Sequence, residues 1–216
     1  MKELLSKGGY LADSRGRPLD CVILAAGSST RMGRPKLGLP LGTGTLLGMT
    51  IANALAAGLR VIVVARRDDD SIRDLAGPHV EIVRNPQPGR GMISSLREGI
   101  GLVRAERFFF IPADMPFVGP EIYRELARYA PAAPVLPSFG GRSGHPVLLP
   151  SELIPAILAL SEEVPLKSLI ATAGPAYAEI GDDSILRDID TVQDYEHALA
   201  DRWLLGPPIY SPGAEA

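Results

Sequence analysis

The chain has 216 residues, of which 46% are hydrophobic and 22% are charged, and its net charge is −3. This composition excludes a disordered chain, the length predicts a single domain, and the acidic balance argues against nucleic acid as the main partner. A single cysteine excludes an internal disulfide. The first residues lack the apolar segment of a secretory leader, and no apolar run reaches about 18 residues, so we expect a cytoplasmic protein without a membrane span.

Short β-branched runs alternate with helical patterns along the first two thirds of the chain. The patterns predict strands at 20–24, 60–65, 80–83, 108–112 and 134–138, and helices at 44–57, 68–76, 91–104 and 119–130. Alternation of this kind predicts βαβ units, and therefore an α/β fold with a doubly wound, mostly parallel sheet and helices on both faces. The continuous apolar runs at 61–64 and 108–111 are typical of central strands that are buried on both sides.

The spacing of the patterns changes beyond residue 140. They predict a strand at 146–149, helices at 151–160 and 165–172, a strand at 176–180 and a last helix at 191–204. We interpret this part as a small α+β elaboration of the same sheet. The predicted organisation is an N-terminal extension (1–19), one domain (20–204) and a C-terminal tail (205–216). Both ends are expected to be loosely held.

A glycine-rich, cationic loop follows the first predicted strand. Residues 25–36 read AAGSSTRMGRPK, and they combine two glycines with Arg31, Arg34 and Lys36. No Asp or Glu occurs among the 47 residues at 21–67, which contain six cations. Backbone N–H groups and cations at the carboxyl end of a parallel strand predict an anion site, although a surface turn with solvated arginines has the same composition. The loop matches neither GxxxxGK[ST] nor GxGxxG.

The sequence LAAGSSTRMGRPK (24–36) resembles the LAxGxSxRMGxxK signature of the MobA-like nucleotidyltransferases, which include the molybdenum-cofactor cytidylyl- and guanylyltransferases. The resemblance implies a doubly wound α/β fold and transfer of a nucleotidyl group from an NTP with release of pyrophosphate. It implies Arg31 and Lys36 as catalytic cations. The residues that it implies as nucleotide contacts in this loop are Leu24, Ala25, Ala26, Gly27, Ser28, Ser29, Arg31 and Lys36.

An aspartate follows the most apolar predicted strand. In FFFIPADMPFV (108–118), Asp114 comes at the carboxyl end of that strand, beside the expected ligand crevice. Because Mg²⁺ prefers one or two carboxylates with phosphate oxygens and water, Asp114 is a candidate catalytic metal ligand, although a turn aspartate would look the same. The segment resembles the family's GDxP motif, with Ala113 in place of the usual glycine. The expected cofactor is Mg²⁺, for which Mn²⁺ can substitute.

A third segment, NPQPGRGMISSLREGI (85–100), leads into a predicted helix. The N-terminus of a helix offers N–H groups and positive potential to an anion, although helix capping by serine accounts for the same residues. The segment resembles the NPxxxxGMxxSL pattern of the cytidylyltransferase-like branch. The resemblance implies further nucleotide contacts from Asn85, Gly91, Ser94 and Ser95.

The segment GGRSGHPVLL (140–149) resembles the GHPVL motif of the family, which faces the acceptor substrate. The resemblance implies that Arg142, Ser143, Gly144 and His145 bind a phosphorylated pterin-like acceptor. An arginine would suit the terminal phosphate of such an acceptor. A single histidine in a loop is also commonly structural.

The segment ILRDIDTVQDY (185–195) contains two aspartates that are two residues apart. In an extended segment the side chains of Asp188 and Asp190 lie on the same face. Thr191 and Asp194 have the spacing of a capping box for the following helix. The segment resembles a [DN]xDTxxD-like element of the family, which implies that one of the two aspartates completes the metal site opposite Asp114. Asp188 is favoured and Asp190 is the alternative.

Five motifs in the family's order cover residues 20–195 and imply direct attack of an acceptor phosphate on the NTP α-phosphorus, without a protein nucleophile. Ala26, where guanylyl relatives have glycine, favours CTP and molybdopterin as small-molecule substrates, with a molybdenum hydroxylase or its maturation factor as the expected partner. The alternatives are GTP with molybdopterin, or another NTP with a sugar or polyol phosphate. An alternative of another class is a non-catalytic nucleotide sensor or cofactor chaperone, against which Lys36 and Asp114 argue.

Overall fold

The computed structural model describes residues 9–27, 32, 35–130 and 132–200. The strands are β1 (Asp20–Leu24), β2 (Pro40–Leu41), β3 (Gly44–Thr45), β4 (Arg60–Arg66), β5 (Val80–Asn85), β6 (Arg107–Pro112), β7 (Val135–Phe139), β8 (Arg142–Ser143), β9 (Val147–Pro150) and β10 (Ala176–Glu179). The helices are α1 (Leu46–Ala56), α2 (Ile72–Ala76), α3 (Met92–Ile100), α4 (Pro120–Ala127), α5 (Ile154–Ala159), α6 (Leu166–Thr172) and α7 (Val192–Ala200). Within these ranges no helix is long and apolar enough to cross a membrane.

One sheet organises the fold, with the strand order β10-β7-β9-β6-β1-β4-β5 and β8 paired with β7. The four strands β6, β1, β4 and β5 are mutually parallel. Strand β9 runs antiparallel between β6 and β7, and β10 is parallel to β7. The predicted doubly wound, mostly parallel sheet is therefore confirmed, and the part beyond residue 140 extends the same sheet.

Alternating side chains of the central strands build two apolar layers. Cys21 and Ile23 of β1 belong to the same apolar cluster as residues of α1, α2 and α4, whereas Val22 and Leu24 belong to a second cluster with residues of α3, α5 and α6. A Cβ atom added to Gly99 of α3 would lie 2.3 Å from Cγ1 of Val22, so this glycine allows α3 to lie directly on β1. The predicted helices on both faces of the sheet are confirmed.

Several predicted helices are shorter in the structure. The helix predicted at 44–57 begins only at Leu46, because β2 and β3 form a small hairpin and Thr45 caps α1 by accepting a hydrogen bond from the Gly48 N–H. In the region predicted as a helix at 68–76, only Ile72–Ala76 is helical, and the Ser71 hydroxyl donates to the side chain of Asp69. Local hydrogen bonds from Ser, Thr and Asp side chains compete with the helix at both places.

The segment 9–19 is packed against the domain, so the prediction that the N-terminal extension is loosely held is wrong for this part of it. Leu11 and Leu19 are buried in the apolar core. The Asp13 carboxylate accepts hydrogen bonds from Arg17 and from the Glu106 N–H. Residues 1–8, and the part of the predicted last helix beyond Ala200, lie outside the described residues.

Candidate active site

A cavity of about 370 Å³ lies at the carboxyl ends of β1 and β6. The chain moves outward from β1 through β4 to β5 and then returns to β6 on the other side of β1, so the strand order reverses here. Open α/β sheets bind ligands at such a switch point, and the volume is within the range of small-molecule sites. The cavity is lined by Leu24, Ala25, Ala26, Gly27, Lys36, Leu37, Pro88, Gly89, Gly91, Met92, Ser95, Pro112, Ala113 and Asp114.

Eight residues that sequence analysis assigns to the site line this cavity: Leu24, Ala25, Ala26, Gly27, Lys36, Gly91, Ser95 and Asp114. Ser28, Ser29 and Arg31 lie outside the described residues. Sequence analysis did not assign Leu37, Pro88, Gly89, Met92 and Pro112, although each stands within or beside one of the motifs. A glycine and apolar side chains carry no chemical signal that would single these positions out.

Lys36 connects two of the predicted acidic residues. Its Nζ atom lies 2.6 Å from Oδ2 of Asp114, 2.6 Å from Oδ1 of Asp190 and 2.9 Å from the carbonyl oxygen of Ile189. These three acceptors match the three N–H donors of an ammonium group. Burial lowers the pKa of Lys36, but the two carboxylates outweigh burial, and its pKa is raised above the ordinary value. The lysine is therefore a fixed positive charge at the base of the cavity.

Backbone contacts hold the Asp114 segment in place. The Ala113 N–H donates to the carbonyl of Leu24, which fixes the end of β6 against the end of β1. The Thr50 hydroxyl donates to the carbonyl of Ala113 at 3.0 Å, and the Ile189 N–H donates to the carbonyl of Asp114 at 3.0 Å. These contacts bring the predicted motifs around Asp114 and Ile189 together. Thr50 is a supporting residue that no sequence signal identifies.

The cluster around Lys36 has an excess of negative charge. Asp188 is exposed beside it, and partial burial together with the negative charges of Asp190 and Asp114 raises the pKa of Asp188. The Oδ1 atom of Asp114 is buried and has no hydrogen-bond partner among the residues that the structure describes. In the described ranges, no three His, Cys, Asp or Glu side chains could hold a metal ion by themselves. The residues present therefore fit a metal that takes one or two carboxylates and completes its coordination with ligand oxygens.

The predicted capping box before α7 is confirmed. The Asp194 N–H donates to the Thr191 hydroxyl oxygen at 3.1 Å, and the Thr191 N–H donates to the Asp194 carboxylate at 2.7 Å. The same carboxylate accepts from the Asp190 N–H. The hydrogen bond from the Thr191 hydroxyl is the main cause of the lowered pKa of Asp194. The capping box thus fixes the backbone that carries Asp190.

Asn85 and Ser94 do not line the cavity. Asn85 is 1% exposed at the end of β5, and its Nδ2 atom donates to the hydroxyl oxygens of Ser94 and Ser95 at 2.9 Å and 3.0 Å. Its Oδ1 atom accepts from the Gln87 N–H at 2.8 Å. Asn85 therefore joins the loop after β5 to the first turn of α3.

The four predicted acceptor residues also lie outside the cavity lining. Arg142 and Ser143 are exposed on β8. A Cβ atom added to Gly144 would lie 2.0 Å from the carbonyl oxygen of Ile185, and the His145 N–H donates to the same oxygen at 2.9 Å. Burial is the main cause that lowers the pKa of His145 to about 4, so its imidazole is neutral at pH 7. The glycine is thus required by close packing against the 183–186 turn.

A doubly wound sheet with a cationic loop and carboxylates at its switch point is an arrangement of nucleotide-binding α/β proteins. The family model for the MobA-like NTP transferase domain matches residues 21–179, so the chain belongs to that family of nucleotidyltransferases.

Similar proteins agree with this assignment. The molybdenum cofactor cytidylyltransferase of Escherichia coli (strain K12) is 30% identical over 179 residues, which are 82% of this chain and 93% of the relative. A protein of Natronomonas pharaonis named "Probable molybdenum cofactor guanylyltransferase" is 29% identical over 191 residues, which are 82% of this chain and 95% of the relative. The solved structure of the Mycobacterium tuberculosis rv0371c homolog from Mycobacterium sp. strain JC1 has a TM-score of 0.75 and 28% identity, and covers 87% of this chain and 98% of its own.

Proposed function

We propose that this protein is a Mg²⁺-dependent cytidylyltransferase that joins CMP from CTP to the terminal phosphate of molybdopterin and releases pyrophosphate. The observation that carries the proposal is the switch-point cavity, which is lined both by Lys36 and Asp114 and by the glycine-containing segment 88–92. The cationic end suits phosphates, and the apolar wall with the Ser95 hydroxyl suits a nucleoside. We retain the nucleotide contacts that the family resemblance implies for Ser28, Ser29 and Arg31.

The negative charge of the acidic cluster supports a bound metal ion. Two carboxylates, Asp114 and Asp190, contact the one ammonium group of Lys36, and the charge of Asp188 adds to theirs. Among the described residues, the buried Oδ1 of Asp114 has no hydrogen-bond partner. Asp114 would hold Mg²⁺ together with Asp188 or Asp190, and phosphate oxygens would complete the coordination. When bound, the metal neutralises negative charge on the phosphates as pyrophosphate departs.

The chain itself contributes positioning and charge in the proposed reaction. An oxygen of the acceptor phosphate attacks the α-phosphorus of CTP and forms a new P–O bond, while the bond to the β-phosphate oxygen breaks and its electron pair leaves with pyrophosphate. A phosphate monoester is already anionic near neutral pH, so no protein nucleophile is required. Lys36 brings a fixed positive charge to the end of the cavity that would hold the phosphates, and the backbone N–H groups of Ala26 and Gly27, which line the same cavity, would offer neutral donors.

The acceptor side of the proposal involves the segment 142–145. Arg142 is exposed, and a guanidinium group suits the terminal phosphate of a pterin-like acceptor. The His145 N–H donates to the carbonyl of Ile185, three residues before Asp188, so this segment is tied to the chain that carries the acidic cluster. The product would be passed to a molybdenum hydroxylase or its maturation factor in the cytoplasm.

Two nucleotides, CTP and GTP, are candidate substrates. CTP is supported by the 30% identical Escherichia coli relative, a cytidylyltransferase, and by Ala26 in the cavity wall. GTP is the second candidate, because the relative from Natronomonas pharaonis is named as a guanylyltransferase at 29% identity. Both candidates use the same acidic cluster and the same chemistry.

Thermal unfolding with CTP, GTP, ATP and UTP, each with and without Mg²⁺, tests the proposal. A ligand at about 100 times its Kd adds about 2.7 kcal/mol to the free energy of unfolding. A Mg²⁺-dependent shift for CTP alone supports the cytidylyltransferase, and a shift for GTP alone supports the guanylyltransferase. No shift with any nucleotide, with or without molybdopterin, contradicts both. Pyrophosphate release with molybdopterin then separates an enzyme from a nucleotide sensor, which would bind without turnover.

A further inference from the structure

Asn85 uses its whole side-chain amide within the protein. Both hydrogens of its Nδ2 atom are donated, one to Ser94 Oγ and one to Ser95 Oγ, and its Oδ1 atom accepts from the Gln87 N–H. A buried amide with these three bonds has little capacity left for a ligand. Asn85 therefore affects a ligand through the groups to which it is hydrogen-bonded.

The two serines that Asn85 contacts differ in what their hydroxyl hydrogens can reach. Ser94 Oγ donates to the carbonyl of Gly91 at 2.8 Å, and Ser94 does not line the cavity. Ser95 does line the cavity, and its Oγ atom accepts the hydrogen bond from Asn85. Within the part of the chain that the structure describes, the Ser95 O–H has no hydrogen-bond acceptor. A hydroxyl that already accepts one bond has its hydrogen available to donate.

We infer that Asn85 is a positioning residue for the nucleotide: it holds the Ser95 hydroxyl so that its hydrogen is donated into the cavity. The atom of the nucleotide that faces Ser95 is then a hydrogen-bond acceptor, such as a carbonyl oxygen or unprotonated ring nitrogen of the base. The inference rests on the proposed function, because it takes a nucleotide as the occupant of the cavity. Asn85 also ties the loop that carries Pro88, Gly89 and Gly91 to α3.

A double-mutant cycle on CTP binding tests this inference. Titration calorimetry with CTP and Mg²⁺ would compare Ser95→Ala in the wild type, in Asn85→Ala and in Asn85→Asp. Loss of one hydrogen bond in an enclosed site weakens binding by about tenfold, so Ser95→Ala should cost that much in the wild type. It should cost less than about twofold in either Asn85 variant, because the hydroxyl is no longer oriented there.

Asn85→Asp keeps the inference testable if Asn85→Ala does not fold. An aspartate retains the oxygen that accepts from the Gln87 N–H, but it accepts from Ser95 instead of donating to it, so the hydroxyl hydrogen turns away from the cavity. The added negative charge weakens CTP binding whether or not the Ser95 hydroxyl is present. The cycle therefore cancels this effect.

Ile100→Val is the matched control for loss of stability, because Ile100 is buried on the same helix and does not line the cavity. It should lower the unfolding temperature and leave the Kd for CTP within about twofold.

In steady state, Asn85→Ala should raise the KM for CTP and leave kcat nearly unchanged. Equal costs of Ser95→Ala in all backgrounds, or a fall in kcat alone, would overturn the inference. A wild type that binds no nucleotide would instead overturn the proposed function.

Discussion

Asp20 and Asp114 lie at opposite ends of two neighbouring strands and differ in how their oxygens are satisfied. Asp20, at the amino end of β1, is fully buried, and its carboxylate accepts from Arg60 and from the N–H groups of Arg104 and Ala105 at 2.7 Å and 2.9 Å. Asp114 follows β6 and is partly buried. One of its oxygens accepts a hydrogen bond from Lys36, and the other has no partner in the described part of the chain.

The difference shows which polar atoms can still form hydrogen bonds with a ligand. A buried polar atom without a partner costs free energy, so its persistence beside a cavity indicates that a bound molecule completes it. A buried atom without a partner indicates a ligand only when it lies beside a cavity. Within the described ranges, two nitrogens of Arg107 at the amino end of β6 have no hydrogen-bond partner, and burial lowers the pKa of Arg107 to about 10, but Arg107 does not line the cavity. Buried polar atoms without hydrogen-bond partners indicate a binding site only where there is space for a ligand.

The largest expected effect is that of Asp114→Asn on turnover. The amide keeps the shape of the side chain but removes the charge that the proposed metal requires, so pyrophosphate release should fall by at least about a thousandfold. Release from CTP and molybdopterin would be measured with a coupled pyrophosphate assay. Circular dichroism and urea unfolding should be close to those of the wild type. Turnover within about tenfold of the wild type would remove Asp114 from the metal site.

Asp20→Asn should have the opposite signature. The variant removes the charge that pairs with Arg60, and its amide NH2 group faces either the guanidinium or the backbone N–H donors, so we expect a loss of about 3–5 kcal/mol in the free energy of unfolding. Urea denaturation measures this loss. The affinity of the folded fraction for CTP should not change. A variant with wild-type stability and impaired CTP binding would contradict the assignment of Asp20 as structural.

The fold was largely predictable because its strongest signals are local. The apolar runs of β4 and β6 and the regular helix spacing specify buried parallel strands without knowledge of their neighbours. The packing of Leu11 and Leu19 was not predictable, since a short apolar segment is buried only if the sheet offers a surface for it. Helix starts were also missed where Thr45 and Asp69 make local hydrogen bonds that end or delay the helix.

The candidate site was predictable to the extent that it consists of side chains in motifs. Lys36 and Asp114 stand out in the sequence because a strand ends just before each segment. Their contact, and the role of the Ile189 carbonyl as a third acceptor, depend on segments that are distant in sequence. Asn85 was predicted as a nucleotide contact, whereas the structure directs its amide to the two serines, a difference that only tertiary structure reveals.

His145 should make the free energy of unfolding depend on pH. Burial is the main cause that lowers the pKa of its imidazole to about 4 from an ordinary value of 6.5, against the opposing effect of Asp114. Between these pH values the unfolded chain binds a proton that the folded chain does not. The free energy of unfolding should therefore fall by up to about 3 kcal/mol as the pH drops from 6.5 to 4.

Urea denaturation from pH 4 to 7.5 measures this dependence. His145→Gln removes the titrating group, so the slope of stability against pH should become flatter by the same amount. Identical slopes for the wild type and His145→Gln would show that His145 is accessible to protons in the folded state.

Lys36→Met should have opposite effects on the affinity for the metal ion and on the affinity for the nucleotide. The ammonium group lies 2.6 Å from both Asp114 and Asp190, so it competes for the carboxylates that the proposed metal would use. Without this charge, Mn²⁺ alone should bind about tenfold more tightly, as measured by the electron paramagnetic resonance signal of free Mn²⁺. CTP with Mg²⁺ should bind more weakly, because the phosphates lose a cation. Lys167→Met, on the exposed face of α6, should change neither affinity. If Mn²⁺ bound less tightly to Lys36→Met than to the wild type, the lysine would be supporting the metal site rather than competing for it.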